Sequence, residues 1–164
     1  SVGEGGMLAV LGVTTNEIKK IIDENSDNIK CFIANDNSIG QLILSGKNDE
    51  LNKFSSILKE KKIKNLKLPV SAPFHCELMR DATIKMEEVI NDKKFNDPIY
   101  KVVSNVTAKE YASINEIKEL LIKQIESPVR WRESVEYMIL NGTKIEIKKS
   151  TRKKIKNFVE IYCL

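Results

Sequence analysis

A single histidine, His75, occurs among the 164 residues, inside the segment KLPVSAPFHCELM that runs from Lys67 to Met79. An imidazole acting as a general base needs a nucleophile within hydrogen-bond reach. Ser71 lies four residues upstream, a helical spacing, but the intervening Pro73 disfavours helix there, so a Ser71–His75 dyad is not expected. Cys76 is adjacent to His75, and neighbouring residues of a helix point about 100° apart, which argues against a Cys-His pair. No G-x-S-x-G elbow occurs anywhere in the sequence. The three cysteines, Cys31, Cys76 and Cys163, are far apart and odd in number, which fits reduced thiols, and no pair has metal-ligand spacing. No metal site is expected. By themselves these residues favour a structural histidine at a helix start over a base.

The elements that must hold this segment read as follows. MLAVLGV (Met7 to Val13) has the apolar run of a buried strand. Thr14 with Glu17 three residues later predicts a capped helix with Ile18, Ile21 and Ile22 on one face. IKCFIA and IGQLILSG read as strands joined by a turn at NDNS. A second helix is predicted from about Asn48, with Leu51, Phe54 and Leu58 at helical spacing, and IKNLKLPV reads as a fourth strand. The order βαββαβ predicts a ferredoxin-like sandwich over residues 1–70. Beyond His75, Leu78, Ala82, Met86 and Val89 predict a helix anchored to a core by one apolar stripe. PIYKVVSNV reads as a strand. Ser113 and Glu116 predict a capping box opening a helix with Ile114, Ile117, Leu121 and Ile125 on one side. Ser127 and Pro128 interrupt it, a final helix carries Trp131, Val135, Met138 and Ile139, and TKIEI reads as a strand.

The apolar fraction of 41% supplies a core for one medium domain or two small subdomains. No run of eighteen apolar residues is present and the first ten residues have no basic stretch before their apolar ones, so a cytoplasmic chain with no membrane contact is expected. The net charge is +4, yet residues 144–156 alone carry seven Lys or Arg against one Glu, so the rest of the chain is net acidic. The basic character is that of a tail. A solvated segment is the simpler reading, against a docking patch for an acidic partner or a nucleic acid.

LPVSAPFHCELM resembles the histidine motif of malonyl-CoA:acyl carrier protein transacylases. ANDNSIGQLILSG resembles that family's hairpin segment, with Asn35, Asn37, Gln41, Ser45 and Gly46 in matching places, and VVSNVTA, KQIESPVRW and SVEYM resemble its later blocks. The resemblance runs over roughly residues 5 to 146. It implies an α/β architecture in which a ferredoxin-like subdomain, residues 1–70, precedes the C-terminal part of an α/β-hydrolase-like acyltransferase subdomain, residues 71–147, with a divergent basic tail at residues 148–164.

The resemblance also implies a reaction. A serine takes malonyl from coenzyme A and passes it to the phosphopantetheine thiol of acyl carrier protein, a ping-pong transfer of fatty acid biosynthesis. The coenzyme A thioester is the substrate and no further cofactor is implied. His75 is implied to be the general base, and the backbone carbonyl of Gln124 its orienting partner in place of a carboxylate. Asn35, Gln41 and Phe74 are implied pocket neighbours. Phe74 resembles the bulky residue found where malonyl is taken in preference to a branched extender, a discrimination of ~1 to 3 kcal/mol.

Family landmarks that resemble nothing in the sequence are the serine elbow, the arginine that pairs with the malonyl carboxylate and the glutamine loop of the oxyanion hole. The resemblance therefore implies a base without its nucleophile, and a chain inactive until an N-terminal half supplies the rest. Stripes such as Ile114, Ile117 and Leu121 are then expected to face water, at ~1.5 to 3 kcal/mol each, so a partner chain or self-association is expected. After KIEI the family's Gly-Pro-Gly turn is replaced by KKSTRKKIKNFVEIYCL. An inactive family product, or a non-catalytic module binding acyl carrier protein or nucleic acid, remains open beside the catalytic reading.

Overall fold

The computed structural model of the chain describes residues 3–142. Its first half is a four-stranded antiparallel sheet with two helices. The strands are β1 (Gly5–Leu11), β2 (Cys31–Ser38), β3 (Gln41–Lys47) and β4 (Lys64–Lys67), in the spatial order β2-β3-β1-β4. Helix α1 (Thr15–Glu24) connects β1 to β2, and α2 (Asn48–Glu60) connects β3 to β4. The sequence order is therefore the βαββαβ read from the periodicities.

Alternation along the strands separates two faces. Leu8 opposes Leu44 and Val10 opposes Leu42, and these four pack with Ile18 and Ile21 of α1 and Leu51, Phe54 and Leu58 of α2 in one buried cluster. Both helices thus cover the same face of the sheet. Phe54, Ile18 and Leu58 are fully enclosed, and burying side chains of this size contributes about 1.5 to 3 kcal/mol each. The opposite face presents Met7, Ala34 and Ile43, covered by Leu68 and Val70 as the chain leaves β4. Thr14 caps α1 as predicted: its hydroxyl accepts from the Glu17 amide at 3.3 Å while the Glu17 carboxylate accepts from the Thr14 amide at 2.7 Å.

The hairpin differs from its expected form. Asn35, Asp36 and Asn37 belong to β2, and the turn falls at Ile39 and Gly40, where Gly40 takes φ of +80°. Turn-forming residues are accommodated in a strand because β2 is irregular: its register against β3 shifts between Ile33 and Asn35 and again between Asp36 and Ser38. A distant segment also pairs with it, the Val129 amide donating to the Ala34 carbonyl at 2.8 Å and the Asp36 amide to the Val129 carbonyl at 2.9 Å.

After β4 a loop leads through a single 3-10 turn (Glu77–Met79) into α3 (Arg80–Asp92), followed by α4 (Ile114–Lys123) and α5 (Trp131–Leu140). Helices α3 and α4 pack on each other, and α5 lies against β2. Ser113 caps α4 by accepting from the Glu116 amide, but the Glu116 carboxylate reaches the amide of Ala112 rather than that of Ser113, so the box is only half formed. Two expectations are corrected. Of the stripe Leu78, Ala82, Met86 and Val89 only Ala82 is half-buried; the covered residues of α3 are Ala82, Thr83 and Ile90, so the helix is rotated from the orientation its stripe predicts. PIYKVVSNV forms no strand among the described residues; it contributes one bridge, Val103 to Glu110, and leaves Ile99 and Tyr100 out in solvent. The strand read at TKIEI and the basic tail lie outside the described residues. No helix among the described residues is long and apolar enough to cross a membrane.

Candidate active site

The loop carrying His75 is fastened to the sheet just before the histidine and tied back on itself just after it. Upstream, the Pro73 ring lies so close to β1 that a Cβ on Gly5 would stand 2.6 Å from its Cδ and Cγ. Immediately before the histidine, the buried Ser45 hydroxyl of β3 donates to the Phe74 carbonyl at 2.5 Å. Immediately after it, the Cys76 thiol donates to the Pro73 carbonyl at 3.1 Å. Between these anchors His75 adopts φ of +61°, a left-handed conformation that a residue with a Cβ enters at a cost. Its ring is thereby turned toward the C-terminal end of α4.

There the Nδ1 of His75 stands 3.1 Å from the backbone carbonyl oxygen of Gln124. Gln124 is the C-cap of α4, so its carbonyl is one that the helix leaves without a partner. The same oxygen also accepts from the Ser127 amide at 3.4 Å. A carbonyl only accepts, so the contact requires the proton on Nδ1 and leaves the lone pair of the neutral ring on Nε2. That is the tautomer a general base uses. The Gln124 side chain is held in turn by Asn105, whose amide donates to its Oε1 at 3.3 Å.

His75 lines a cleft of about 380 Å³ between the first helix-sheet layer and the loop after α4, with Ile22, Phe32, Cys76, Glu126 and Pro128 among its walls. Both buried thiols beside it are poor nucleophiles. Burial, with the Glu50 and Cys76 charges adding to it, pushes the Cys31 thiol up to about 12, and burial likewise raises that of Cys76. Ser71 is exposed, and its carbonyl accepts from the Gly3 amide at 3.2 Å. Among the described residues no group of three His, Cys, Asp or Glu could hold a metal ion.

The other residues singled out from the sequence are spread around this centre. Phe74 is next to His75 and 42% exposed, outside the core. Asn35 lies half-buried at the irregularity of β2, opposite Ile43 and bridged to Val129. Gln41 begins β3, paired with Leu11 and Ser38. None of these three is among the residues lining the cleft at His75. Sequence reasoning missed a charged cluster on β2. Asp36, only 6% exposed, accepts from Arg132 Nη2 at 2.8 Å and Nε at 3.1 Å and from the Thr15 hydroxyl at 3.0 Å. Arg132 also reaches Glu136 at 3.1 Å, and these carboxylates raise its affinity for its proton. The i,i+4 spacing of Arg132 and Glu136 was visible in the sequence; the partner 96 residues away was not.

No family model matches the chain. It is 38% identical over 149 residues to a malonyl CoA-acyl carrier protein transacylase of Bacillus subtilis, which covers 88% of this chain and 47% of that protein. Its identity to the corresponding protein of Escherichia coli K12 is 34%, covering 85% of this chain and 46% of the relative. Among solved structures, a malonyl CoA-acyl carrier protein transacylase from Clostridium perfringens superposes with a TM-score of 0.82 at 38% identity, over 87% of this chain and 45% of that one. A type II polyketide acyl carrier protein in complex with its malonyl-transacylase contains a similar chain, with a TM-score of 0.82 at 31% identity, over 87% of this chain and 47% of that one. The chain spans about half the length of the relatives it matches. In sequence and in fold the chain is similar to about the C-terminal half of malonyl CoA-acyl carrier protein transacylases.

Proposed function

We propose that this chain supplies the general base of a malonyl transfer from coenzyme A to acyl carrier protein, in fatty acid or polyketide synthesis. The observation that carries this reading is the 3.1 Å contact between His75 Nδ1 and the Gln124 carbonyl, which sets the tautomer and leaves Nε2 to accept a proton. The nucleophile is a serine outside these 164 residues, on the same polypeptide or on another. As its hydroxyl attacks the malonyl thioester, Nε2 takes the proton; the imidazolium then protonates the leaving coenzyme A sulfur. In the second half the phosphopantetheine thiol gives its proton to Nε2 and attacks the acyl-serine, and the serine oxygen leaves with that proton. No cofactor beyond the thioester takes part. The backbone carbonyl orients the ring as a carboxylate would, with less charge to stabilise the imidazolium.

In this reading Asn35, Gln41 and Phe74 border the acyl pocket once the nucleophile-bearing part is in place. Residues 1–70 form the ferredoxin-like subdomain, residues 71–147 belong to the larger acyltransferase subdomain, and residues 148–164 are a divergent tail. The test is intact mass after incubation with malonyl-CoA, on the chain alone and mixed with the complementary half of a related transacylase. One malonyl group on the serine of the added half, absent with His75→Ala, is expected. Equal labelling with and without His75 would sink the assignment.

A further inference from the structure

The buried carboxylate of Asp36 takes no part in the transfer just described, yet it lies on the path that fixes the Gln124 carbonyl. Gln124 and His75 are 49 residues apart and share no element. His75 is tied to the sheet through β3, by the Ser45 hydroxyl on the Phe74 carbonyl. The segment following Gln124 is tied to the neighbouring strand β2. There Val129 exchanges backbone bonds with Ala34 and Asp36, and three residues later Arg132 clasps the Asp36 carboxylate through two guanidinium nitrogens. Only a tight turn, closed by the Ser127 amide on the Gln124 carbonyl, separates these fastenings from the oxygen that holds the imidazole.

We propose that Asp36 and Arg132 are positioning residues for His75, their ion pair holding the Gln124 turn in the register that keeps its carbonyl on Nδ1. This rests on the reading of His75 as a base oriented by Gln124. A two-toothed guanidinium-carboxylate pair defines direction as well as distance. Breaking it leaves a buried charge without its cation, which β2 and α5 relieve by moving apart. The turn then drifts and the imidazole is free to exchange tautomers.

Because His75 is the one histidine, a chain grown with [15N]histidine carries one labelled imidazole, even when mixed with an unlabelled complementary half. Ring-nitrogen shifts at about pH 8.5, where histidine side chains are neutral, report which nitrogen bears the proton. The wild-type protein is expected to show a single Nδ1–H form. Arg132→Ala is expected to lose it for a mixture of tautomers, Arg132→Lys, which keeps the charge without the two-toothed geometry, to lose part of it, and Thr15→Val, which removes only the hydroxyl bond to Asp36, to leave it intact. Should Arg132→Ala fail to fold, Asp36→Asn, which removes the charge and one of the two acceptor oxygens, is expected to lose part of the Nδ1–H form. A folded, less stable Arg132→Ala or Asp36→Asn that keeps a pure Nδ1–H signal would overturn the proposal and make the pair a structural tie alone. An Nε2–H form in the wild type would overturn it by removing the Gln124 contact. Malonyl labelling judges the base assignment separately, since it does not read the tautomer.

Discussion

At the scale of single residues, His75 is held in a backbone conformation that its own side chain does not favour. The left-handed region costs a residue with a Cβ about 1 to 2 kcal/mol, and asparagine enters it more readily than alanine does. Both His75→Asn and His75→Ala remove the proposed base, so they separate chemistry from backbone strain. His75→Asn is expected to be the more stable of the two by about 1 kcal/mol, read as a higher urea midpoint at unchanged slope. Equal midpoints would mean that the loop relaxes to ordinary φ when the imidazole is gone. The role proposed for His75 was legible only through its motif. Composition and spacing favoured a structural histidine, because the contact that argues otherwise is with a backbone oxygen, and every residue type carries one.

Among the elements, what the sequence disclosed follows the range of the forces involved. The caps at Thr14 and Ser113 and the core-facing residues of α1 and α2 depend on neighbours three or four positions away, and they stand where expected. The turn misplaced at NDNS and the stripe misread on α3 depend on what arrives from elsewhere: Val129 in one case, and in the other the packing of α3 on α4, which leaves Thr83 buried and Met86 exposed. A similar long-range dependence sits beneath the active loop. Pro73 is a rigid ring against Gly5, so Gly5→Ala cannot be absorbed by a rotamer change and is expected to cost about 1 to 3 kcal/mol by overpacking. Denaturant unfolding of Gly5→Ala, Pro73→Ala and the double variant checks this. The cost of the glycine substitution should shrink when the ring is already absent, and strict additivity would show that the two do not meet.

For the molecule as a whole, apolar surface decides its company. Ile84, Met86 and Val89 on α3, with Ile99, Tyr100 and Val102 in the following loop, are all exposed, as is Leu140 at the end of α5. Ile114, Ile117 and Leu121, expected in solvent, are half-buried, so the open surface lies mainly on α3 rather than on α4. Several large apolar side chains on one element exceed what a monomeric protein ordinarily shows. The free chain is expected to self-associate in light scattering, and addition of the complementary half of a related transacylase should shift it to a one-to-one complex. Met86→Glu together with Val89→Lys should weaken both, and a wild-type monomer at tens of micromolar would contradict the expectation.

That stickiness has a direction. A sheet open at its margins can recruit further chains by adding strands, and such growth ends in fibres. Here the Val129 segment sits along β2, and β4, at the far margin, is four residues long with a lysine at each end. Both margins of the described sheet are thereby blunted against an incoming strand. Among the described residues, association is therefore expected through the exposed apolar side chains of α3 and the loop after it, which favours discrete complexes that can come apart again.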